Sequence, residues 1–562
     1  IPYVTQIFTP DWVVKYLVEN SLGRFWLDRH PNDDLEKKWK YLVKKSKKAQ
    51  VIHDGRKIVD ITFIDPCSGS GHILIYAFDI FYQIYESEGY PKSDIPQLIL
   101  NNNLYGLDID DRANQLSILA CTLVARKYDD KLFSKNIKRH ILSTRESNKI
   151  NLATFSPKGE AGDVLEYLFD SFRDAKEYGS ILKICSLNYD SLREAIKDDQ
   201  VSMNFELDKA LEPLIAQAEI LNKKFTIVVT NPPYMDKYDD RLKQYIKDHY
   251  PDEKSNLFSV FISKCIDFSI DGGKIAMITP DAWMFLKSYT KFRSNLLENY
   301  SIENMAHVGV GTFEGIGHVI IPTAFIVSKE NNVIGDYYKL LDTKPADKES
   351  ALVQCLNGNR KELTFKSSSA DFLHFPDSIM AYWVSSAMKN VFVGNKCVND
   401  YVKSIHGLVT GDNPRFLREW WEVNYGNTFF NCSSSAEAKI SNKKWFPCNK
   451  GGQFRKWYGN NDYVINWKND GYDIKDYGHA TNYPPRPFEP VVSWSQIASG
   501  DIAFRYKPVG SISDAGGPSL YGDNGNLSYL QGLLNSKALL SISKFMSPSN
   551  NNNSGQIAIY PI

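Results

Sequence analysis

Phe63-Ile64-Asp65-Pro66-Cys67-Ser68-Gly69-Ser70-Gly71-His72 carries a short apolar run into a turn with two glycines, and then into the helix-like stretch Ile73 to Tyr85. The local reading is a strand, a tight turn and a helix start. Glycines let a backbone approach a ligand closely, and the free N–H groups at a helix start favour a carboxylate or phosphate. The spacing is not the GxGxxG of a dinucleotide site. Any tight strand-to-helix turn can look like this, so the segment indicates an α/β fold before it indicates a ligand.

Outward from that turn, strand-like runs alternate with helix-like stretches between Val59 and about Lys329, as expected of a largely parallel sheet. The candidate strands are Ile61 to Ile64, Leu104 to Leu107, Thr226 to Val229 and Lys274 to Ile278, with a hairpin-like pair at Met305 to Val308 and Ala324 to Val327. Leu257, Phe261, Cys265 and Phe268 recur at helical spacing and read as core. Lys131 to Gln200 is helix-rich and carries no recognisable motif. Beyond about residue 340 the texture turns to Gly, Asn, Ser and aromatic residues with short alternating strands, which predicts a second domain. The asparagine run Asn550 to Asn553 reads as a loop.

Composition narrows the class without naming a function. A chain of 562 residues is long enough for more than one core, and no apolar run reaches the roughly 18 residues of a membrane span. Lys plus Arg and Asp plus Glu both number 66, so any polyanion-binding surface must be local. The eight cysteines form no CxxC pair and no zinc-like spacing with histidine, which suits a reducing cytoplasm and predicts no metal site. The lysine-rich stretch Glu36 to Lys48 reads as a solvated helix face and is assigned no role. The sequence opens Ile1-Pro2-Tyr3 and stops at Pro561-Ile562, ends that read as trimmed from something longer.

Two further strand tips carry chemistry. Tyr105-Gly106-Leu107-Asp108-Ile109-Asp110 ends in acid, and a carboxylate at a second strand's tip can accept both hydroxyl protons of a ribose. An acidic loop after a strand is common on its own. More specific is Thr226-Ile227-Val228-Val229-Thr230-Asn231-Pro232-Pro233-Tyr234, a buried strand delivering NPPY at the sheet edge where open α/β folds bind ligands. From average residue usage the tetrapeptide arises by chance in on the order of one in a thousand chains of this length. The residue types suit an exocyclic amino group, whose nitrogen is a poor nucleophile because its lone pair is delocalised. The Asn231 oxygen and the Pro232 carbonyl can accept both N–H protons, Pro233 helps to fix the turn, and Tyr234 offers a face for an extruded base.

These motifs, in this order, resemble the class I S-adenosylmethionine-dependent N6-adenine DNA methyltransferases, in the arrangement where a target-recognition domain follows the catalytic one. The phrases IFTPDWVVKYLVENSLG, DPCSGSGHILIYAFD and WSQIASGDIAFRYKP are similar to the PglX methyltransferases of bacterial BREX phage-defence systems. The resemblance implies a Rossmann-like class I methyltransferase domain over residues 1–340 and a mixed α/β DNA target-recognition domain over 341–562. It implies S-adenosyl-L-methionine as cofactor, held by Thr9, Pro10, Asp65, Cys67, Gly69 and Gly71 toward the methionine end and by Asp108 and Ile109 at the ribose. Phe313, in Gly311-Thr312-Phe313-Glu314, falls where the family places an aromatic against the flipped base. One departure stands out: Gly179-Ser180-Ile181-Leu182 holds no acid where many relatives use one near the cofactor's adenine.

In the second domain, Lys443 to Lys468 carries six basic residues against the single acid Asp462, interleaved with seven aromatics. Lys443, Lys444, Arg455 and Lys456 are the candidate contacts to double-stranded DNA, although aromatics in β-rich domains are usually core. Other phage-defence proteins and a phage DNA-mimic inhibitor are the further partners the resemblance implies; a membrane is not. Two other readings stay open at this point: a methyltransferase acting on RNA or a protein amide, and a non-catalytic DNA-binding subunit.

Overall fold

The computed structural model describes residues 8–45, 50–150, 155–198, 204–313, 320–330, 333–498, 500–546 and 551–562. The chain divides into two compact units, Ile1–Leu373 and His374–Ile562. Among the described residues, no helix is long and apolar enough to cross a membrane.

The first unit is built on one sheet: β1 (Phe63–Asp65), β2 (Leu104–Asp108), β3 (Ile141–Ser143), β4 (Phe225–Thr230), β5 (Ser269–Pro280), β6 (Ser301–His307), β7 (Pro322–Ser328), β8 (Ile334–Lys339) and β9 (Thr364–Ser368). Among the described residues the order is β3-β2-β1-β4-β5-β7-β6-β8-β9. Strands β3, β2, β1, β4 and β5 run parallel, and β7 enters antiparallel between β5 and β6. This is the Rossmann-like class I arrangement expected from the sequence. Reversal of order at β1 and β4 puts the tips of these neighbouring strands at the switch point, where such sheets bind ligands.

The buried strands are the apolar runs visible in the sequence, because a parallel sheet covered on both faces needs side chains of one kind on both. All six residues of β4 are buried. Ile227, Val229, Ala276 and Ile278 join a core with the helices Asp11–Val18 and His72–Ser87. Val228, Ile275 and Met277, also fully buried, alternate with them and therefore face the other side. There the helix Leu257–Phe268 packs on β4 and β5, burying Leu257, Phe261, Cys265 and Phe268.

The expected hairpin-like pair is antiparallel, with Met305 opposite Phe325 and Ala306 opposite Ala324. The expected boundary near 340 moves, because β8 pairs with β6 and β9 pairs with β8, carrying the sheet past that point. Hydrogen-bonded strands cannot be divided between compact units, so the first unit ends at Leu373. The stretch without a motif supplies β3 at one sheet edge and the short helical turn Gly179–Ile181.

The second unit carries two small sheets among its described residues. One aligns Lys403–Ile405, Ser519–Tyr521, Val491–Ser493 and Arg505–Lys507; the other aligns Leu417–Glu419, Tyr463–Asn466, Trp445–Asn449 and Ile512–Ser513. Phe446, Ile465, Trp467 and Phe488 centre one core. Helices Asn524–Leu534 and Lys537–Met546 follow the strands. In the asparagine run, Asn550 lies outside the described residues; the Asn552 carbonyl accepts the Trp494 indole N–H at 2.7 Å, and Asn553 caps a short helix.

Candidate active site

Strand β1 ends at Asp65, which is buried (1% exposed) and lies against the neighbouring β4 tip. Its Oδ1 accepts the Thr230 hydroxyl at 2.7 Å and the Cys67 N–H at 3.0 Å. The glycine turn is thereby tied to the strand that delivers NPPY. Burial pushes the Asp65 carboxyl up to about 7, against those hydrogen bonds and with help from the nearby Asp108 charge. Burial first, and then both carboxylates, push the Cys67 thiol well above its ordinary range, so it stays neutral.

The turn itself needs its glycines for two different reasons. Gly69 has φ +50 and nothing within 4 Å of where a Cβ would stand, which leaves backbone facing open space. Gly71 has φ +87, and a Cβ there would meet the Ser117 Oγ at 2.5 Å and its Cα at 3.0 Å. The second glycine therefore serves close helix packing. Ser68 Oγ is buried without a hydrogen-bond partner beside this opening.

At the β2 tip, Asp108 Oδ2 accepts the Gly69 N–H at 2.7 Å and Oδ1 accepts the Asp110 N–H at 2.8 Å. The Ile109 N–H also bonds this carboxylate, so backbone donors hold it in place at the strand tip, where a ligand hydroxyl can approach it. Burial raises the Asp108 pKa, opposed by those backbone bonds. Ile109 lies next to the turn Gly179–Ile181, its Cδ1 being 3.8 Å from where a Gly179 Cβ would stand. Ser180, buried, donates to the Pro66 carbonyl at 2.6 Å. The segment lacking an acid thus abuts the glycine turn, with Gly179 buried against Ile109 and the Ser180 hydroxyl tied to Pro66. The charge-free spacing of Gly179-Ser180 offered no signal for this in the sequence.

Asn231 follows directly on β4. Its Nδ2 donates to Thr9 Oγ1 at 3.0 Å, and its Oδ1 accepts the Tyr234 hydroxyl at 2.8 Å. The Tyr234 hydroxyl also lies 3.1 Å from the Ile278 carbonyl on β5. Burial holds the phenol pKa far above neutrality, so it is a donor at any ordinary pH. Thr9 is buried and precedes Pro10 and the helix Asp11–Val18, which packs on β5, β7 and the helix His72–Ser87. Phe313 is buried (5% exposed), with its ring 6.5 Å from that of Tyr234 at an interplanar angle of 61°. The structure therefore brings together Thr9, Pro10, Asp65, Cys67, Gly69, Asp108, Asn231, Tyr234 and Phe313 around one sheet edge. Thr230 is the linking residue that motif reading passed over; its place just before NPPY was the available signal.

The basic candidates lie in the second unit. Lys443 donates to the Gly426 carbonyl, and Lys456 to that of Asn535 at 3.1 Å. Lys444 and Arg455 are exposed. The aromatics divide: Trp445, Phe446 and Trp467 are buried, whereas Phe454, Trp457 and Tyr458 are 59%, 53% and 63% exposed.

The family described as Eco57I restriction-modification methylase matches residues 102–313, a span running from just before β2 through NPPY to Phe313. The whole chain is 35% identical to the adenine-specific methyltransferase PglX of Lacticaseibacillus casei (strain Zhang) and 32% identical to BrxX of Escherichia coli O9:H4 (strain HS), covering 50% of each. The chain spans about half the length of these curated relatives. Among solved structures, a nuclease-deletion mutant of the Type ISP restriction-modification enzyme LlaGI in complex with a DNA substrate mimic shares the fold. Its TM-score is 0.50 at 13% identity, over 99% of this chain and 45% of that one. The chain is thus similar over its whole length to about half of the adenine-specific methyltransferases PglX and BrxX, and its residues 102–313 match the Eco57I restriction-modification methylase family.

Proposed function

We propose that this chain transfers a methyl group from S-adenosylmethionine to the N6 of an adenine flipped out of double-stranded DNA, as part of a phage-defence system of the BREX kind. The observation that carries the reading is the Asn231 amide, held from both ends by Thr9 and Tyr234 at the tip of the strand beside the glycine turn. Its amide is thereby held in one orientation, with the oxygen on the side of Tyr234 and the nitrogen on the side of Thr9, as a polar group that grips an amino nitrogen must be.

The cofactor's fit rests on residues already described. Open backbone at Gly69, the orphaned Ser68 hydroxyl and the Asp108 carboxylate at the β2 tip suit a nucleoside with a vicinal diol, and the buried Asp65 suits a cationic amino-acid end. Thr9, Pro10, Cys67, Gly71 and Ile109 complete that wall. When bound, S-adenosylmethionine supplies an electrophilic methyl group. Asn231 and the Pro232 carbonyl hold the two amino protons so that the nitrogen lone pair localises toward the methyl, and Tyr234 with Phe313 provides aromatic surface for the base. The neutral Cys67 thiol is no nucleophile, and direct transfer needs none.

Lys444 and Arg455 serve as phosphate contacts of the second unit, with Lys443 and Lys456 beside them. The decisive experiment compares N6-methyladenine in DNA from cells carrying the complete system with wild-type or Asn231→Ala protein. Equal modification in both would leave a binding role as the better account.

A further inference from the structure

The second unit holds a concave site to which methyl transfer gives no role. A cavity of about 850 Å³ is lined by Lys450, Phe454, Ser495, Ile497, Asp501 and Arg505, among others. Four of these six come from the WSQIASGDIAFRYKP phrase. Arg505 is 1% exposed. Its Nη2 donates to Ser495 Oγ at 3.1 Å, and its Nη1 reaches the Ala503 and Arg455 carbonyls only at 3.4 Å. Its Nε is buried with no hydrogen-bond partner. Burial, and then the charge of Arg455, lowers its pKa to about 10, so it remains a cation, and no carboxylate contributes to that balance. A buried cation with an unused N–H is costly unless an acceptor meets it.

The loop beside the pocket is tied to the Arg505 strand. Trp457, a bulky residue at φ +73, donates its N–H to the Phe504 carbonyl at 3.0 Å. Its own carbonyl accepts from Tyr506 N at 2.8 Å and Gln531 Nε2 at 2.6 Å. The strained loop carrying Phe454 is therefore fastened to the strand that carries Arg505, and strain of this kind accompanies preformed binding sites.

The lining discriminates among ligands. Phe454 and Ile497 are 59% and 75% exposed and present apolar surface. Asp501, half-exposed, is 3.6 Å from Lys544. A phosphate would gain from Arg505 and Lys450 but would be repelled by Asp501 and would make no use of the apolar walls. A flat base with two acceptors on one edge and N–H donors on the next uses all of them. Guanine has that pattern, with O6 and N7 for the guanidinium and N1–H and N2–H for the carboxylate; adenine turns a donor toward the arginine. A side chain buried this deeply in a cavity cannot touch a base edge inside a stacked duplex.

We propose that this cavity is a guanine-binding pocket, taking the base of a free guanine nucleotide or of a guanine unstacked from nucleic acid. The nucleic-acid source rests on the reading of the second unit as a DNA-contact domain; the pocket itself does not.

Calorimetry on the full 562-residue chain tests this with guanosine, GMP, adenosine, inorganic phosphate and two hairpin oligonucleotides that differ in one bulged G or A. Guanosine, or failing that the G-bulge hairpin, is expected to bind at least about tenfold tighter than its adenine counterpart. Binding by guanosine assigns a free nucleotide as a sufficient ligand; preference confined to the G-bulge hairpin assigns nucleic acid as the source. Asp501→Asn is expected to remove about tenfold of the guanine preference, and Phe454→Ala to weaken both bases alike. Both side chains are exposed, so they test the pocket even if Arg505→Gln fails to fold. Binding of GMP that inorganic phosphate competes away while guanosine is ignored, equal binding of guanine and adenine probes, or no binding of any base probe would each overturn the proposal. Binding of a fully paired duplex is measured in parallel: its loss with guanosine binding retained removes the DNA-contact reading and leaves the pocket.

Discussion

Thr9 and Asn231 stand 222 positions apart in the chain and meet at 3.0 Å, the threonine hydroxyl accepting from the asparagine amide. Because the other end of the amide accepts from Tyr234, its orientation is set from two sides. An acceptor held in place before reaction needs no reorganisation when charge develops, which is the main electrostatic advantage of a folded site.

Thr9→Val is therefore expected to slow methyl transfer about tenfold at saturating DNA and cofactor, the size of one missing hydrogen bond. Thr9→Ser restores the acceptor and is expected to recover most of the rate. Single-turnover methylation with the complete system reads this directly. Valine at the wild-type rate would show that Asn231 is oriented by other groups.

At Asn231 itself the loss is larger. Removing the acceptor in Asn231→Ala is expected to cost roughly 100- to 1000-fold in rate with cofactor affinity retained. Tyr234→Phe keeps the ring and loses only the hydroxyl on Asn231 Oδ1, so it should lower the rate yet still hold a flipped base. Tyr234→Ala should fail at both, with base retention followed by 2-aminopurine fluorescence at the target position.

Asp65 makes the cofactor step depend on pH. Its folded pKa of about 7 lies above the ordinary value of 3.8, so the folded state holds a proton that the unfolded chain has released. The stability this contributes is fully present below about pH 4 and is lost as pH rises through about 7. A cationic cofactor end favours the ionised carboxylate, so S-adenosylmethionine affinity should increase from pH 6 to pH 8. Asp65→Asn should bind weakly and without that slope. A wild-type affinity that is flat over the range contradicts the assignment.

Asp108→Ala removes two acceptors from a ribose and leaves the Gly69 and Asp110 N–H groups without theirs. Each charge-assisted bond is worth roughly 1.5 to 3 kcal/mol, so cofactor binding should drop by at least tenfold. Calorimetry showing unchanged affinity would remove Asp108 from the site.

Neutralising Lys443, Lys444, Arg455 and Lys456 together should weaken DNA binding for all sequences and flatten its salt dependence by about 0.9 in log slope for each phosphate that is no longer neutralised. Lys443 and Lys456 are already tied to backbone carbonyls, so Lys444 and Arg455 should carry most of the change. A salt slope identical to wild type would make the stretch structural.

Local chemistry was enough to read the parallel strands, the glycine turn, the acidic tip at Asp108 and the NPPY tip, because each depends on residues within a few positions of one another. An apolar run of β-branched residues reads as a buried strand wherever it later pairs, and two prolines after an asparagine stiffen a turn in any context. What depends on distant pairing was out of reach. The continuation of the sheet past residue 340 is decided by β8 and β9 finding edges, not by composition. The Thr230 bond to Asp65 and the Asn231 bond to Thr9 join segments more than 160 residues apart, and single residues carry no record of such partners. The same holds for Gly179-Ser180 against the glycine turn. It holds too for Arg505, an ordinary basic residue in the sequence, whose burial at a cavity and unused N–H exist only once its strand, its loop and the aromatic stretch before it have packed together.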